Sequence, residues 1–322
     1  FLKASQNGSG YGSYSCGFIL MKGSSDIPRD IEKGLSMFRL AVEQNYKAAT
    51  RDLARYYYSL ETEEDNRKAL DYYLQYIEYN PKDTDTLLHI GLIYESGLGV
   101  PLNIDLARRY YERAAEQDET GMAYNFLGGT YMNDEETESN ERKAVHYFQK
   151  AIELGNTNAM FRISYYLHNG KGGLQVDIPR EIELLTEASK RGNHQATYRL
   201  GLLFEDNESG MAQNLELSVK YFQLAADNGI LAAINKMGEL YLFGEVIPAN
   251  LTKAISCFTA ASEQGYGKAS YWLGRLHTDG IGQLEKDTQK AMNYYRKAIE
   301  QGYEEAREWM EQLQKKIWWT RP

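Results

Sequence analysis

Residues able to do chemistry are present in this sequence, but their spacing does not assemble an active site. The five histidines (His89, His146, His168, His194 and His277) are scattered without the spacing that metal ligands need. The acid pairs Glu63-Glu64 and Glu135-Glu136 read as solvated loop charges, and no D-x-D-x-D-G calcium loop occurs. Glycine-rich stretches such as Gly97-Leu-Gly99 lack the following Lys-Ser/Thr and the preceding strand of a phosphate cradle, so they read as turns. Cys16 and Cys257 lie far apart and form no disulfide framework. These observations predict no catalytic residues, no cofactor and no metal. What remains is the chemistry of recognition. Tyr and Arg anchor binding patches, and they concentrate in Arg51, Arg55 and Tyr58 near the start and in Tyr198, Tyr271 and Arg275 near the end.

The elements that position these side chains are repeated. The stretch from His89 to Gln117 reads as a helix (A), a glycine turn and a second helix (B), and the unit recurs along the chain. A small helix A residue recurs as Gly17, Ala54, Gly91, Gly128, Ser164, Gly201, Gly238 and Gly274, spaced 36 or 37 apart. A second landmark is the Asn or Asp expected to cap helix B: Asp30, Asp65, Asn103, Asn140, Asp177, Asn214, Asn250 and Asp287. Five residues before the first landmark stands another small residue, such as Ala123 or Ala196. Three residues after it stands a large one, such as Tyr94, expected to fill the space the glycine leaves. Tyr94 and Tyr111 read as packing residues between repeats. Helix B carries an i, i+4, i+7 apolar stripe. It is expected to end on Asn45, Asn80, Asp118, Gly155, Gly192, Gly229, Gly265 and Gly302, residue types that tolerate a left-handed cap.

Residues 1–8 match the tail of a helix B, so the sequence reads as starting in mid-repeat, a fragment of a longer protein. Residues 9–303 hold eight repeats. Residues 304–322 read as a C-terminal capping helix, with Ala306 at the small position; the Trp-rich end also has the composition of a membrane-interface belt. The whole, 1–322, is expected to be one all-α array.

The unit A-x-x-x-L-G-x-x-Y-x-x-G-x-G-V-x-x-D/N-x-x-K-A-x-x-Y-Y-x-x-A-A-x-x-G resembles the Sel-1-like repeat, a relative of the tetratricopeptide repeat. The third, seventh and eighth units match best. The fifth departs, with Ser164 for glycine and Glu181 where Ala is usual. The resemblance implies an α-α superhelix, or solenoid, of about eight helix-turn-helix repeats that binds a protein or peptide partner. Members of this family act as adaptors in endoplasmic-reticulum-associated degradation, in chitin synthase activation and host interaction, and as toxin immunity proteins. A subfamily with a disulfide in each repeat is excluded by the two cysteines. By analogy with tetratricopeptide geometry, residues three before, one after and four after the helix A landmark line a concave groove. That adds Phe161 and Tyr165 to Arg51, Arg55, Tyr58, Tyr198, Tyr271 and Arg275 as the expected protein-binding set. Asn125 and Asn235 stand at the first of these positions, where they could hydrogen-bond an extended peptide. The competing expectation is that the tyrosines pack between helices.

A formal charge of -9 argues against nucleic acid and anionic membrane as primary partners. No apolar run reaches the length of a membrane span, so any membrane link is expected through regions outside this sequence. Homo-oligomers stay open. Three N-x-S/T sequons, at Asn7, Asn207 and Asn250, lean toward glycosylation and the secretory pathway or endoplasmic-reticulum lumen; a bacterial periplasm is the alternative. The expected function is a non-enzymatic scaffold or adaptor that binds a protein or peptide through the concave helix A face, in secretory-pathway quality control; the alternatives are an immunity or inhibitor protein that blocks a secreted toxin such as a lipase, and the regulatory repeats of a larger enzyme.

Overall fold

A computed structural model describes residues 1–24, 26–206, 213–281 and 284–319, with the backbone alone from 316 to 319. Among the described residues every regular element is an α-helix. The contacts form two compact units, Phe1–Ala159 with Lys171–Leu174, and Met160–Gly170 with Gln175–Pro322.

In the first unit a short α1 (Leu2–Gln6) precedes four A/B pairs: α2 (Gly10–Lys22) with α3 (Ile31–Glu43), α4 (Lys47–Tyr58) with α5 (Glu63–Tyr79), α6 (Thr84–Ser96) with α7 (Ile104–Ala115), and α8 (Met122–Met132) with α9 (Glu138–Glu153). The helix α10 (Thr157–Asn169) starts in the first unit, and most of it belongs to the second. There α11 (Ile178–Lys190) is followed by α12 (His194–Glu205) with α13 (Leu215–Asp227), α14 (Leu231–Phe243) with α15 (Leu251–Glu263), α16 (Gly267–Asp279) with α17 (Thr288–Glu300), and finally α18 (Ala306–Trp319). From α1 to α9, and again from α11 to α18, each helix packs on the next in sequence, as expected of a repeat array.

Capping follows the expected residues in six repeats. The side chains of Asp30, Asn103, Asp177, Asn214, Asn250 and Asp287 accept from the backbone N–H three residues on. Two expectations need correction. Helix B of the second and fourth repeats starts three residues earlier, because Thr62 and Thr137 are available as caps; their hydroxyls accept from the N–H groups of Asp65 and Asn140. The acids Glu63, Glu64 and Asp65 then sit in the first turn of α5, where the helix dipole favours them.

The C-terminal caps divide likewise. Asn45, Gly155, Gly192, Gly229, Gly265 and Gly302 take the left-handed conformation. Asn80 does not (φ -134°), because Pro81 holds the residue before it extended. Asp118 is buried and accepts from the Thr120 N–H and O–H and the Ala123 N–H, leaving Gly121 to take the positive φ.

The core explains the repeat's small residues. Ala49, Thr86, Ala123, Ala159, Ala196, Ala233 and Ala269 have no exposed surface. The space over the helix A glycine is filled by the large ring of helix B rather than by the helix A residue three positions on. A Cβ on Gly91 would lie 2.3 Å from Tyr111, and one on Gly128 2.5 Å from Phe148. The helix A aromatic instead stacks on the residue preceding that ring: Tyr57 on Tyr72 at 5.8 Å, Tyr94 on Tyr110 at 6.0 Å, Tyr131 on Tyr147 at 5.7 Å and Phe204 on Tyr221 at 5.7 Å. Tyr94 thus joins the two helices of one repeat.

Candidate functional site

Arg51, Arg55 and Tyr58 fall within two turns of α4, on the side that meets α6. The Arg55 guanidinium lies 2.5 Å from Asp85 on α6 and 3.9 Å from Asp52. Arg51 lies 3.5 Å from Asp83, with its guanidinium 5.5 Å from the Tyr76 ring centre; its Nε is buried without an acceptor. His89 Nδ1 sits 2.7 Å from the Asp85 carbonyl. The same imidazole stacks on Tyr73 at 5.2 Å and receives Tyr58 edge-on at 5.3 Å. Burial raises the Tyr58 phenol's pKa. Tyr14 donates to Asp52 at 2.7 Å; burial, reinforced by that carboxylate, pushes its pKa up to about 12.

Beside this network opens a cavity of about 480 Å³, lined by Phe18, Met21, Lys22, Phe38, Asp52 and Arg55 together with Tyr56. Phe18 is 53% exposed at its edge. Arg55 and Asp85 are each nearly half exposed, and such a pair contributes about 0–1 kcal/mol. Its carboxylate partner is therefore exchangeable at low cost.

The other expected residues lie in the second unit. Arg275 donates to the Tyr271 hydroxyl at 3.0 Å, and its guanidinium lies 3.8 Å from the ring centre of Trp309 on α18. Tyr271 also meets Tyr303 and Trp309, while Ala306 and Leu313 are buried. Both residues thus pack against α18. Tyr198 packs on Phe222 at 5.6 Å, and burial pushes its phenol up to about 12. Phe161 is half-buried and Tyr165 is 40% exposed, edge-on to Tyr166. Asn125 and Asn235 are buried, each with an Oδ1 that meets no donor, and Asn235 donates to Glu239 at 2.9 Å.

Of the sequons, Asn7 is exposed, Asn250 caps α15, and Asn207 lies outside the described residues. Among the described residues no group of three or more His, Cys, Asp or Glu could hold a metal ion, and no helix is long and apolar enough to cross a membrane.

One polar cluster escaped the sequence reading. Glu181, fully buried, accepts from Arg199 Nε at 3.2 Å and lies 3.0 Å from His168 Nδ1. Its signal was an acid at the register held elsewhere by Ala69, Ala107, Ala144, Ala254 and Ala291. From the sequence alone that departure reads only as degeneracy of the repeat.

Paired helices packed on small residues, with aromatic and arginine side chains at their surfaces, define a helical-repeat scaffold of the kind typical of protein–protein interaction. The Sel1 repeat family pattern matches residues 11–46, 47–75, 86–119, 121–156, 157–193, 194–230, 231–266 and 267–303. The chain belongs to the Sel1 repeat family.

Among curated relatives, the Sel1-repeat-containing protein YjcO of Escherichia coli K12 is 33% identical over 78 residues, 24% of this chain and 34% of YjcO. Protein sel-1 homolog 2 of Rattus norvegicus is 40% identical over 70 residues, 22% of this chain and 10% of that protein. The matches therefore span about a third and a tenth of these relatives. Among solved structures, the Sel1 repeat protein from Oxalobacter formigenes superposes with a TM-score of 0.71 at 24% identity, covering 97% of this chain and 89% of that one. The uropathogenic Escherichia coli protective antigen c5321, which displays an SLR fold, gives 0.63 at 20% identity, covering 96% and 65%. Both show likeness of fold.

Proposed function

We propose that the chain is a non-catalytic scaffold that binds a protein or peptide on the helix A face of its first unit, with Arg55 as the charged anchor. One observation carries this reading: a half-exposed guanidinium, in a weak and exchangeable ion pair, stands beside a cavity walled by Phe18, Met21 and Tyr56. A partner that inserts an apolar side chain there and offers a carboxylate to Arg55 gains burial at about 25 cal/mol per Å². It also replaces one solvent-screened ion pair with a better-shielded one. Tyr58 and His89 pack edge to face next to Asp85, the present partner of Arg55. The second cluster, Tyr271 and Arg275, serves the capping helix on this reading.

The test is photo-crosslinking from position 18 in the native host, combined with recovery of the partner by chains carrying Arg51→Ala and Arg55→Ala. A crosslinked partner whose recovery falls about tenfold, roughly 1.4 kcal/mol, is the expected result. Unchanged recovery by the double variant counts against this face.

A further inference from the structure

A groove lies on the outside of helix B, in the sixth and seventh repeats. In the third repeat the A–B loop is latched to the preceding helix B. Gly99 takes a positive φ, and its carbonyl accepts from Arg67 Nε at 2.7 Å. A Cβ on Gly99 would strike the Glu63 carbonyl at 2.2 Å. The fifth repeat is latched at the same register, where the Gly172 N–H donates to Glu141. In the seventh repeat that register holds Val246, which resists a positive φ and cannot approach so closely. The register of Arg67 holds Glu216, which has no proton to donate. Here a groove of about 630 Å³ separates α13 from the loop.

The α13 wall of the groove is a stripe, Val219, Gln223 and Asp227 with Lys220 and Leu224 beside it. This stripe covers about 12 Å at 1.5 Å per residue. Tyr241, Ile247 and Pro248 face it. Leu224 is 48% exposed, at a register where five other repeats carry Gln75, Arg113, Lys150, Glu187 and Lys297, and the first and seventh carry Leu40 and Ala260. The charges are lopsided. Asp227 accepts from Gln223 at 2.7 Å, whereas among the described residues no carboxylate pairs with Lys220 or Lys253. In a chain of net charge -9, this is a locally cationic rim around an apolar floor.

We propose that this groove binds a short segment of another protein, about two helical turns long, that seats apolar side chains against Leu224 and Ile247 and sets carboxylates against Lys220 and Lys253. The site is independent of the helix A face.

The test begins with selection of displayed random peptides on the intact chain, counter-selected on Leu224→Asp. A synthetic peptide of the consensus is then titrated while the methyl resonances of Val219, Leu224 and Ile247 are followed. The expected consensus pairs apolar residues with Asp or Glu. Methyl shifts should centre on the groove, and affinity should fall about tenfold in Leu224→Asp and in the charge reversal Lys220→Glu/Lys253→Glu. Lys253→Glu puts an acid in the first turn of α15, which the helix dipole favours, so that loss would not be unfolding. A neutral or basic consensus overturns the proposal, as do peptides that bind Leu224→Asp equally or an affinity indifferent to charge reversal.

Discussion

Replacing Gly91 by Ala tests how the repeat is closed. The added Cβ would stand 2.3 Å from Tyr111 Cε1, far inside ordinary contact, so the ring must move. Tyr111 is fully buried, donates to Glu95 at 2.6 Å and stacks on Phe126 at 5.3 Å, so its displacement disturbs the next repeat as well. Overpacking of this kind costs about 1–3 kcal/mol. Gly→Ala within a helix returns about 1 kcal/mol. With the ring pinned on two sides the upper end applies, and the expected net loss is about 2 kcal/mol.

Tyr111→Leu alone removes the ring and the Glu95 bond, at about 2–4 kcal/mol. The fifth repeat, however, carries the compensated pair at the same registers, Ser164 with Leu185, both buried. The double variant should therefore be less destabilised than the sum of the singles by about 1–2 kcal/mol. Repeat arrays need not unfold in one step, so the assay is hydrogen exchange resolved by peptide over α6 and α7. Peptides from α14 to α17 serve as an internal control that should not change. Additivity within about 0.5 kcal/mol, or a stabilised Gly91→Ala, would refute the account of the glycine as a seat for the ring.

Two further outcomes follow from the polar network. Arg199→Ala leaves the Glu181 carboxylate fully buried with only His168 beside it, and should cost about 3–5 kcal/mol. Glu181→Ala should cost clearly less, because Arg199 and His168 are about 30% exposed and can rehydrate; thermal unfolding of the two variants gives the order. Stability should also fall as pH rises from about 10 to about 12. Tyr14 and Tyr198 have folded pKa values near 12 against about 10 unfolded. In that window the unfolded state has already released the proton, and the contribution present below pH 10 is lost. Phenolate absorbance titrated alongside denaturation checks the window, and Tyr14→Phe should reduce the slope.

Repetition makes the architecture legible in the sequence. A landmark recurring every 36 or 37 residues fixes helix, turn and cap because the same packing problem is solved in every unit. The misreadings came where a neighbour in sequence offered a better partner. Thr62 and Thr137 displaced Asp65 and Asn140 as caps, Pro81 kept Asn80 out of the left-handed region, and Asp118 turned inward as an acceptor. Which ring sits over the helix A glycine was hidden for a different reason. Both candidate aromatics recur with the same period, and periodicity cannot say which of two co-periodic residues points inward.

The binding chemistry proposed above falls at the opposite kind of position. Residues that repeat are committed to the core, since each unit must bury the same face. Side chains available to a partner are therefore found where one repeat breaks the pattern. Arg55 stands at a variable register, held by Phe18, Leu92, Gly129, Tyr165, Leu202, Glu239 and Arg275 in the other repeats, and its guanidinium is nearly half exposed rather than tied up in packing. Val246 and Leu224 act together, one by removing the glycine of the latch and the other by leaving an apolar side chain exposed beside the groove. Glu181 also breaks the pattern, but its charge is answered inside the fold by Arg199 and His168. The proposed distinction between a functional departure and a structural one is thus whether the partner the chain supplies is largely buried with it, as for Glu181, or exposed and exchangeable, as Asp85 is for Arg55, and this can be read only once the side chains are placed.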